Sequence, residues 1–471
     1  MEKLSIFKDS FWAVISQAIS MLAGVVMSLI LPKFMTVEDF GFWQLFLLYA
    51  SYVGLLHLGA GDGIYLKLGG KYFNTVNKTE LYPQIQLISF LQVFFALLCA
   101  IFSFLWFRDD YTRLFVFLAL SVYIVIENIY KILCFVLMAT DKMVFNSKSV
   151  ILDKIMMLIS ITVLLLFLKK ANALYVVSAY VFSHFLVLLV VIAKFKGILC
   201  FTSIFSHKNL RSVVCLSSIG IVLTFSNIMS TFIVGSCRML VERFWDIRIF
   251  AQLSLSITVT VFILTFVSQI SYVLFPYLRR TTEENQSKIL RDSTFVLTII
   301  SPYLYFLFFL LYYFLKMWLP QYDIAAHFVM LIAPICFYEM RISLLFNTYF
   351  KNLNKIKPLL YINVITVLGS VILYALSVYM HNIDMMAFSI VFSVLLKNVI
   401  MMKYLYKHYS LQFDIVYLFD LLFMIIQPLV FLLFSIKVSF VMYIIMICLF
   451  GIYLYIFKKN TVFQIVRNFK L

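Results

Sequence analysis

The chain has 471 residues, 64% hydrophobic and only 13% charged, and 38 Lys and Arg against 21 Asp and Glu give it a formal net charge of +17. A soluble domain carries roughly 25% charged residues, and a mean hydropathy of +1.02 exceeds what a water-soluble core can hide. A soluble globular protein is therefore excluded. The apolar runs are continuous rather than alternating, which excludes a β-barrel and points to an all-α polytopic membrane protein. The seven cysteines are scattered without a Cys-x-x-Cys and the six histidines are isolated, so no metal, redox group or other cofactor is expected. His57 and His184 read as hydrogen-bonded packing residues.

In chain order, "MEKLSIFKDSFW" leads into an apolar run through Leu31 with no cleavage signal, and reads as a retained helix rather than a signal peptide. Further runs long enough to span lie at 42–60, 85–106, 114–139, 149–168, 172–193, 213–235, 250–275, 293–315, 326–346, 358–380, 383–402, 415–436 and 438–457. With 11–31 they make about fourteen spans of roughly 20 residues. If the N terminus is cytoplasmic, the inner segments hold about 24 of the 38 Lys and Arg and the outer loops about 10, so both ends are expected inside by the positive-inside rule. The charge is dispersed over short loops, which argues against nucleic-acid binding. No segment outside the spans exceeds about 25 residues, so no soluble catalytic or ATP-hydrolysing domain is expected.

Sliding the chain by 208 residues lays "VEDFGFWQLF" (37–46) over "WDIRIFAQLS" (245–254), matching Phe42 with Phe250, Gln44 with Gln252 and Leu45 with Leu253. The offset equals six spans. The expected organisation is a six-helix lobe at 1–200, a second at 201–410, and two further helices with a basic tail at 411–471. Repeated lobes of this kind are the common build of alternating-access transporters.

The stretch "HLGAGDGIYLKLGGKYF" (57–73) holds five of the thirteen glycines. It is not a phosphate loop: Gly70-Lys71 is followed by Tyr72 rather than Ser or Thr, and after Gly59 and Gly61 the third glycine slot is Ile64. It reads as the inner exit of the second span. There glycine permits positive φ, Asp62 caps a helical turn starting near Ile64, and Lys67 and Lys71 lie among headgroups.

A charge in the membrane core costs roughly 2.5–3.5 kcal/mol and demands a reason. Four cations fall inside spans: Lys131, Lys154, Arg341 and Lys397, two per expected lobe. They are candidate ligands for an anionic substrate in a cleft open to the cytoplasm. The alternative is that they snorkel to the inner boundary, for which Lys154 and Lys397 are well placed. Glu127, four residues before Lys131, shares its helix face; it is either a structural partner or a coupling site for a proton or cation. Glu339 and Arg341 are about 200° apart around a helix, so each needs a partner elsewhere. Glu339 is a second coupling candidate. Asp153 and Asp420 read as solvated acids near the inner boundary. The seventh span, "CLSSIGIVLTFSNIMSTFIVG", is rich in small polar residues suited to helix packing, with Asn227 a candidate cavity-lining residue. Arg238 just beyond it is a candidate outer gate or a solvent-facing cation. No catalytic residue set and no metal ligands are expected.

Three stretches, "HLGAGDGIYLKLGGK", "SNIMSTFIVGSCRMLVERFW" (226–245) and "SQISYVLFPYLRR" (268–280), resemble the polysaccharide-transporter branch of the multidrug/oligosaccharidyl-lipid/polysaccharide exporter superfamily, of the O-antigen and capsule flippase type. The resemblance covers roughly residues 5 to 410. It implies two six-helix lobes, alternating access and a cationic lumen in a bacterial cytoplasmic membrane. It also implies a polyprenyl-pyrophosphate-linked oligosaccharide as substrate, membrane lipids as surroundings, and polysaccharide polymerase machinery as a candidate contact. A lipid II flippase and a drug/cation antiporter of the same superfamily remain alternatives, although the first span has no acid and only Gln17. An embedded glycosyltransferase is disfavoured by the short outer loops, where Glu38-Asp39 is the one acidic pair.

Overall fold

The computed structural model describes residues 2–168, 171–198, 205–279 and 281–459, helical almost throughout and without a strand among them. The tail from residue 460 and most side chains of the 268–280 motif lie outside the described residues. Among the described residues, twelve helices are long and apolar enough to cross a membrane. A thirteenth span is a helix pair, Glu283–Leu304 and Phe306–Trp318, bent by 40° at Tyr305; Pro302, which has no N–H to give to the carbonyl one turn earlier, lies in the last turn before the bend. The remaining expected span, 250–275, falls on the helix Ile247–Arg279.

The chain divides into two compact units, Met1–Arg238 with Trp245–Ala251, and Met239–Phe244 with Gln252–Leu471. The first holds α1 (Glu2–Val25), α2 (Val37–Ala50), α3 (Ala60–Leu68), α4 (Lys78–Trp106), α5 (Tyr111–Ala139), α6 (Met143–Phe167), α7 (Ala173–Lys194) and most of α8 (His207–Phe244). The second holds most of α9 (Ile247–Arg279), then α10 (Glu283–Leu304), α11 (Phe306–Trp318), α12 (Asp323–Arg341), α13 (Asn347–Asn352), α14 (Ile356–Tyr379), α15 (Ile383–His408), α16 (Ile415–Leu433) and α17 (Ile436–Phe457).

Polar residues at the ends of the apolar runs start the helices. Asn77, Asp110, Asn172, Asn382 and Asp414 each accept a backbone N–H of the first turn through the side chain, satisfying donors that a helix start leaves unpaired. Thr36 caps α2 in the same way, and Asp39 of that turn also accepts Ala173 N–H at 3.1 Å, joining the starts of α2 and α7. Outside the spans, the Asp141 carboxyl is partly buried, which alone would raise its pKa; Lys142 Nζ at 2.8 Å and Phe73 N–H at 2.7 Å outweigh that and hold it below the usual range.

The exterior is apolar, the inverse of a soluble protein. On α4, Phe90, Phe94, Leu97, Ile101, Phe102 and Leu105 are exposed, while the buried polar Gln92 and Ser103 face inward. Only lipid is a stable solvent for that surface. In the second unit α12 is buried on nearly every side, from Ala325 to Arg341, and is the axis against which α11, α15 and α16 pack.

Candidate functional site

α5, α6 and α7 of the first unit bring five ionisable side chains together. Lys131 Nζ is 3.1 Å from Glu127 Oε1, one turn back on α5. Gly54, in the 3₁₀ turn Val53–His57, faces this ammonium: a Cβ there would stand in ordinary contact at 3.7 Å from Nζ, and a branched side chain would reach further into its place. On α6, Lys154 Nζ lies 2.7 Å from Asp153 Oδ2, and His184 Nε2 of α7 lies 3.3 Å from Asp153 Oδ1. Glu127 interacts electrostatically with both His184 and Lys154, so the two pairs form one cluster. Tyr180 stacks obliquely on His184 at 4.2 Å between ring centroids, and Tyr123 meets the same ring at 5.4 Å. Trp43 and Phe46 of α2 pack on Tyr180. Below this cluster, where α2 yields to the 3₁₀ turn, Asn128 donates to Val53 O and Gln92 to Leu56 O. Buried amides thus take up carbonyls that a continuous α-helix would have paired internally.

The cations of the two units differ in access. The Lys131 and Lys154 side chains are 39% and 25% exposed. In the second unit Lys397 is fully buried, 3.4 Å from Glu339 Oε1, and Arg341 is buried against Asp420 of α16 with Tyr338 beneath its guanidinium. Three expectations are corrected here. Lys397 does not snorkel, because α15 directs it into the unit where Glu339 supplies its counter-charge. Asp420 and Asp153 are not solvated boundary acids: each is almost completely buried and ion-paired. The inferred separation of Glu339 from Arg341 agrees with the structure, where they pair with different helices. A π-turn, Ile342–Phe346, follows Arg341 directly.

The glycine-rich stretch also differs from expectation. Positive φ does occur at Gly59 and Gly70, and Gly59 follows the end of the second span at His57, but the glycines after it lie within the start of α3. Gly59 and Gly63 meet α8, where a Cβ on Gly220 would stand 2.7 Å from Gly63 N and 2.9 Å from Asp62 Cβ, and Gly61 meets the Phe135 ring of α5, 2.7 Å from where a Cβ would be. The stretch is glycine-rich because two backbones touch there. Asp62 accepts the Thr224 hydroxyl of α8 rather than capping a turn, and Gly59 is the N-cap. Lys67 pairs with Glu80 at 3.2 Å. Asn227 is exposed. Arg238 is half-buried, not solvent-facing, donating to Gln44 Oε1 at 3.1 Å over the Phe250 ring. The internally matched stretches meet each other: Glu38 pairs with Arg248 at 3.4 Å, and a Cβ on Gly41 would stand 2.7 Å from Ile247 O. Glu38 is thus engaged by Arg248, and the Asp39 carboxylate by the Thr36 hydroxyl and Ala173 N–H.

Sequence reasoning missed Asp153, His184, Tyr123, Tyr180 and Asp420 as members of these clusters. The available signal was electroneutrality, since every intramembrane cation called for an acid and Asp153 and Asp420 were the acids left over.

The fold is similar to that of solved transporters of the MOP superfamily. Among solved structures, the lipid II flippase MurJ in an inward closed conformation aligns over 96% of this chain and 99% of its own, with TM-score 0.61 and 14% identity. An inward-facing multidrug resistance MATE family transporter aligns over 84% and 94%, with TM-score 0.62 and 11% identity. A MOP superfamily transporter from Pyrococcus furiosus, described as having a binding pocket of reverse polarity, aligns over 86% and 95%, with TM-score 0.51 and 10% identity. No protein-family model and no curated protein sequence matches the chain.

Proposed function

We propose that the chain is a flippase that moves an anionic, polyprenyl-pyrophosphate-linked oligosaccharide across a bacterial cytoplasmic membrane by alternating access. The observation that carries this reading is the access of Lys131 and Lys154 beside their acids, while the neighbouring amides of Asn128 and Gln92 are taken up by backbone carbonyls. Paired ammoniums that remain partly exposed can exchange an intramolecular carboxylate for a phosphate oxygen. Arg341 and Lys397 are closed to a ligand in this conformation and act within the second unit. Glu127 competes with the headgroup for Lys131, which makes it the coupling candidate. Asn227, exposed on α8, is a candidate sugar contact, and Arg238 with Gln44 a gate.

Lipid II is the second reading. The MurJ alignment favours it, because it spans more of this chain than the MATE alignment does. Both lipids present a pyrophosphate, and they differ in the sugar and peptide beyond it. The separating experiment reconstitutes the purified protein in vesicles and follows exposure of each labelled lipid in the opposite leaflet. A polysaccharide flippase moves the oligosaccharide lipid and leaves lipid II in place; preference for lipid II assigns the second reading, and movement of neither removes both.

A further inference from the structure

We propose that His184 and Asp153 hold a proton between Nε2 and Oδ1, and that this proton sets whether Lys154 is free for an anionic headgroup. The second clause rests on the flippase reading; the first stands on geometry alone.

His184 is 5% exposed and its ring nitrogens face different partners. Nδ1 is 2.9 Å from Tyr180 O. A carbonyl has no proton to give, so Nδ1 must be the donor. The Ser183 hydroxyl does not alter this, because its proton goes to the same carbonyl at 2.8 Å and only its lone pairs face Nδ1 at 3.5 Å. A neutral imidazole with its proton on Nδ1 presents a bare lone pair at Nε2. That atom is 3.3 Å from Asp153 Oδ1, a buried oxygen that accepts no other hydrogen bond among the described residues. Two lone pairs at this distance repel, and a proton between them turns the repulsion into a charge-assisted contact. Lys154 Nζ, 2.7 Å from Oδ2, holds Asp153 as a carboxylate, which places the proton on Nε2.

The groups facing His184 determine what the proton does. α5 contributes Glu127 with its partner Lys131, and the Tyr123 ring. α6 contributes Asp153 and Lys154, and α7 itself contributes Tyr180. α2 sends only the rings of Trp43 and Phe46, against Tyr180. With His184 neutral, these acids and ammoniums cancel. With it protonated, the cluster has one net positive charge and Asp153 is shared by two cations. Lys154, sharing that carboxylate, is then held less tightly than beside a neutral His184, and it is the more exposed of the two cations. Proton and anion favour each other's binding, and by linkage the effect is reciprocal.

The test has two arms on the full-length protein in nanodiscs and vesicles. In the first, nitrogen-15 histidine spectra are recorded near neutral pH, and the His184 signals are those lost in His184→Gln. Protons on both ring nitrogens are expected; a ring with bare Nδ1 and protonated Nε2, or with bare Nε2, overturns the proposal. In the second, the ratio of flipping rates with and without an imposed pH gradient is expected to be several-fold in wild type and to fall to one in His184→Gln, whatever the absolute rate. An unchanged ratio in the variant overturns the coupling. Should the Gln variant not fold, His184→Asn supplies both the assignment and the ratio. Wild-type protein that flips neither lipid refutes the flippase reading and leaves the spectra to judge the proton site.

Discussion

Lys131 illustrates how one side chain is held ready rather than locked. It has a carboxylate at 3.1 Å, a glycine opposite, and over a third of its side chain exposed. Lys131→Ala is expected to lower flipping by roughly ten- to a hundredfold, since one lost charge-assisted contact is worth about 1.5–3 kcal/mol. Gly54→Val is expected to reproduce that loss without touching the charge, by displacing the ammonium; flipping by Gly54→Val at the wild-type rate would show that the position of Lys131 is immaterial. Glu127→Gln is expected to bind the lipid-linked sugar but turn over slowly. The intramembrane charges were legible in the sequence because an apolar background isolates them, and the Glu127–Lys131 pair was legible because four residues is one helical turn. Arg341–Asp420, 79 residues apart, was not: no local spacing encodes which helix will face which.

Among the helices, the contact of α3 with α8 depends on glycine. Gly220→Ala places a methyl group against the backbone of Gly59 and Gly63 and the Asp62 side chain, and should lower the melting temperature in detergent by several degrees, an overpacking cost of about 1–3 kcal/mol. The composition of 57–73 announced a special backbone, but nothing in that stretch identified its partner as Gly220. A second prediction concerns α12 and α16. Arg341→Met or Asp420→Leu alone leaves one buried charge unpaired and should cost about 3–5 kcal/mol, while the double variant should recover most of it. Thermal melts of the three variants test this. Additive losses would mean that the two side chains do not share a pair, and loss of flipping in the double variant with stability restored would return Arg341 to the transport machinery.

For the whole molecule, membrane class and span positions followed from hydropathy alone, because lipid permits little else to be apolar for 20 residues. The bend at Tyr305 was not legible, since the only local signal, Pro302, weakens the turn before it rather than the one at Tyr305. The 208-residue match marked stretches that touch, Glu38 to Arg248, although three identities could not say so. Reporter fusions are expected to be cytoplasm-active after residue 465 and outside-active after residue 35, and the reverse pattern would invert the placement of every cation. The account's central claim is that Lys131 and Lys154 of the first unit serve an anionic lipid-linked sugar. Its most direct test is leaflet exposure of a labelled polyprenyl-pyrophosphate oligosaccharide in vesicles containing the wild-type protein or Lys131→Ala/Lys154→Ala. Wild type should move the lipid well above protein-free vesicles and the folded double variant should approach that background; a double variant that flips as fast as wild type would contradict the account.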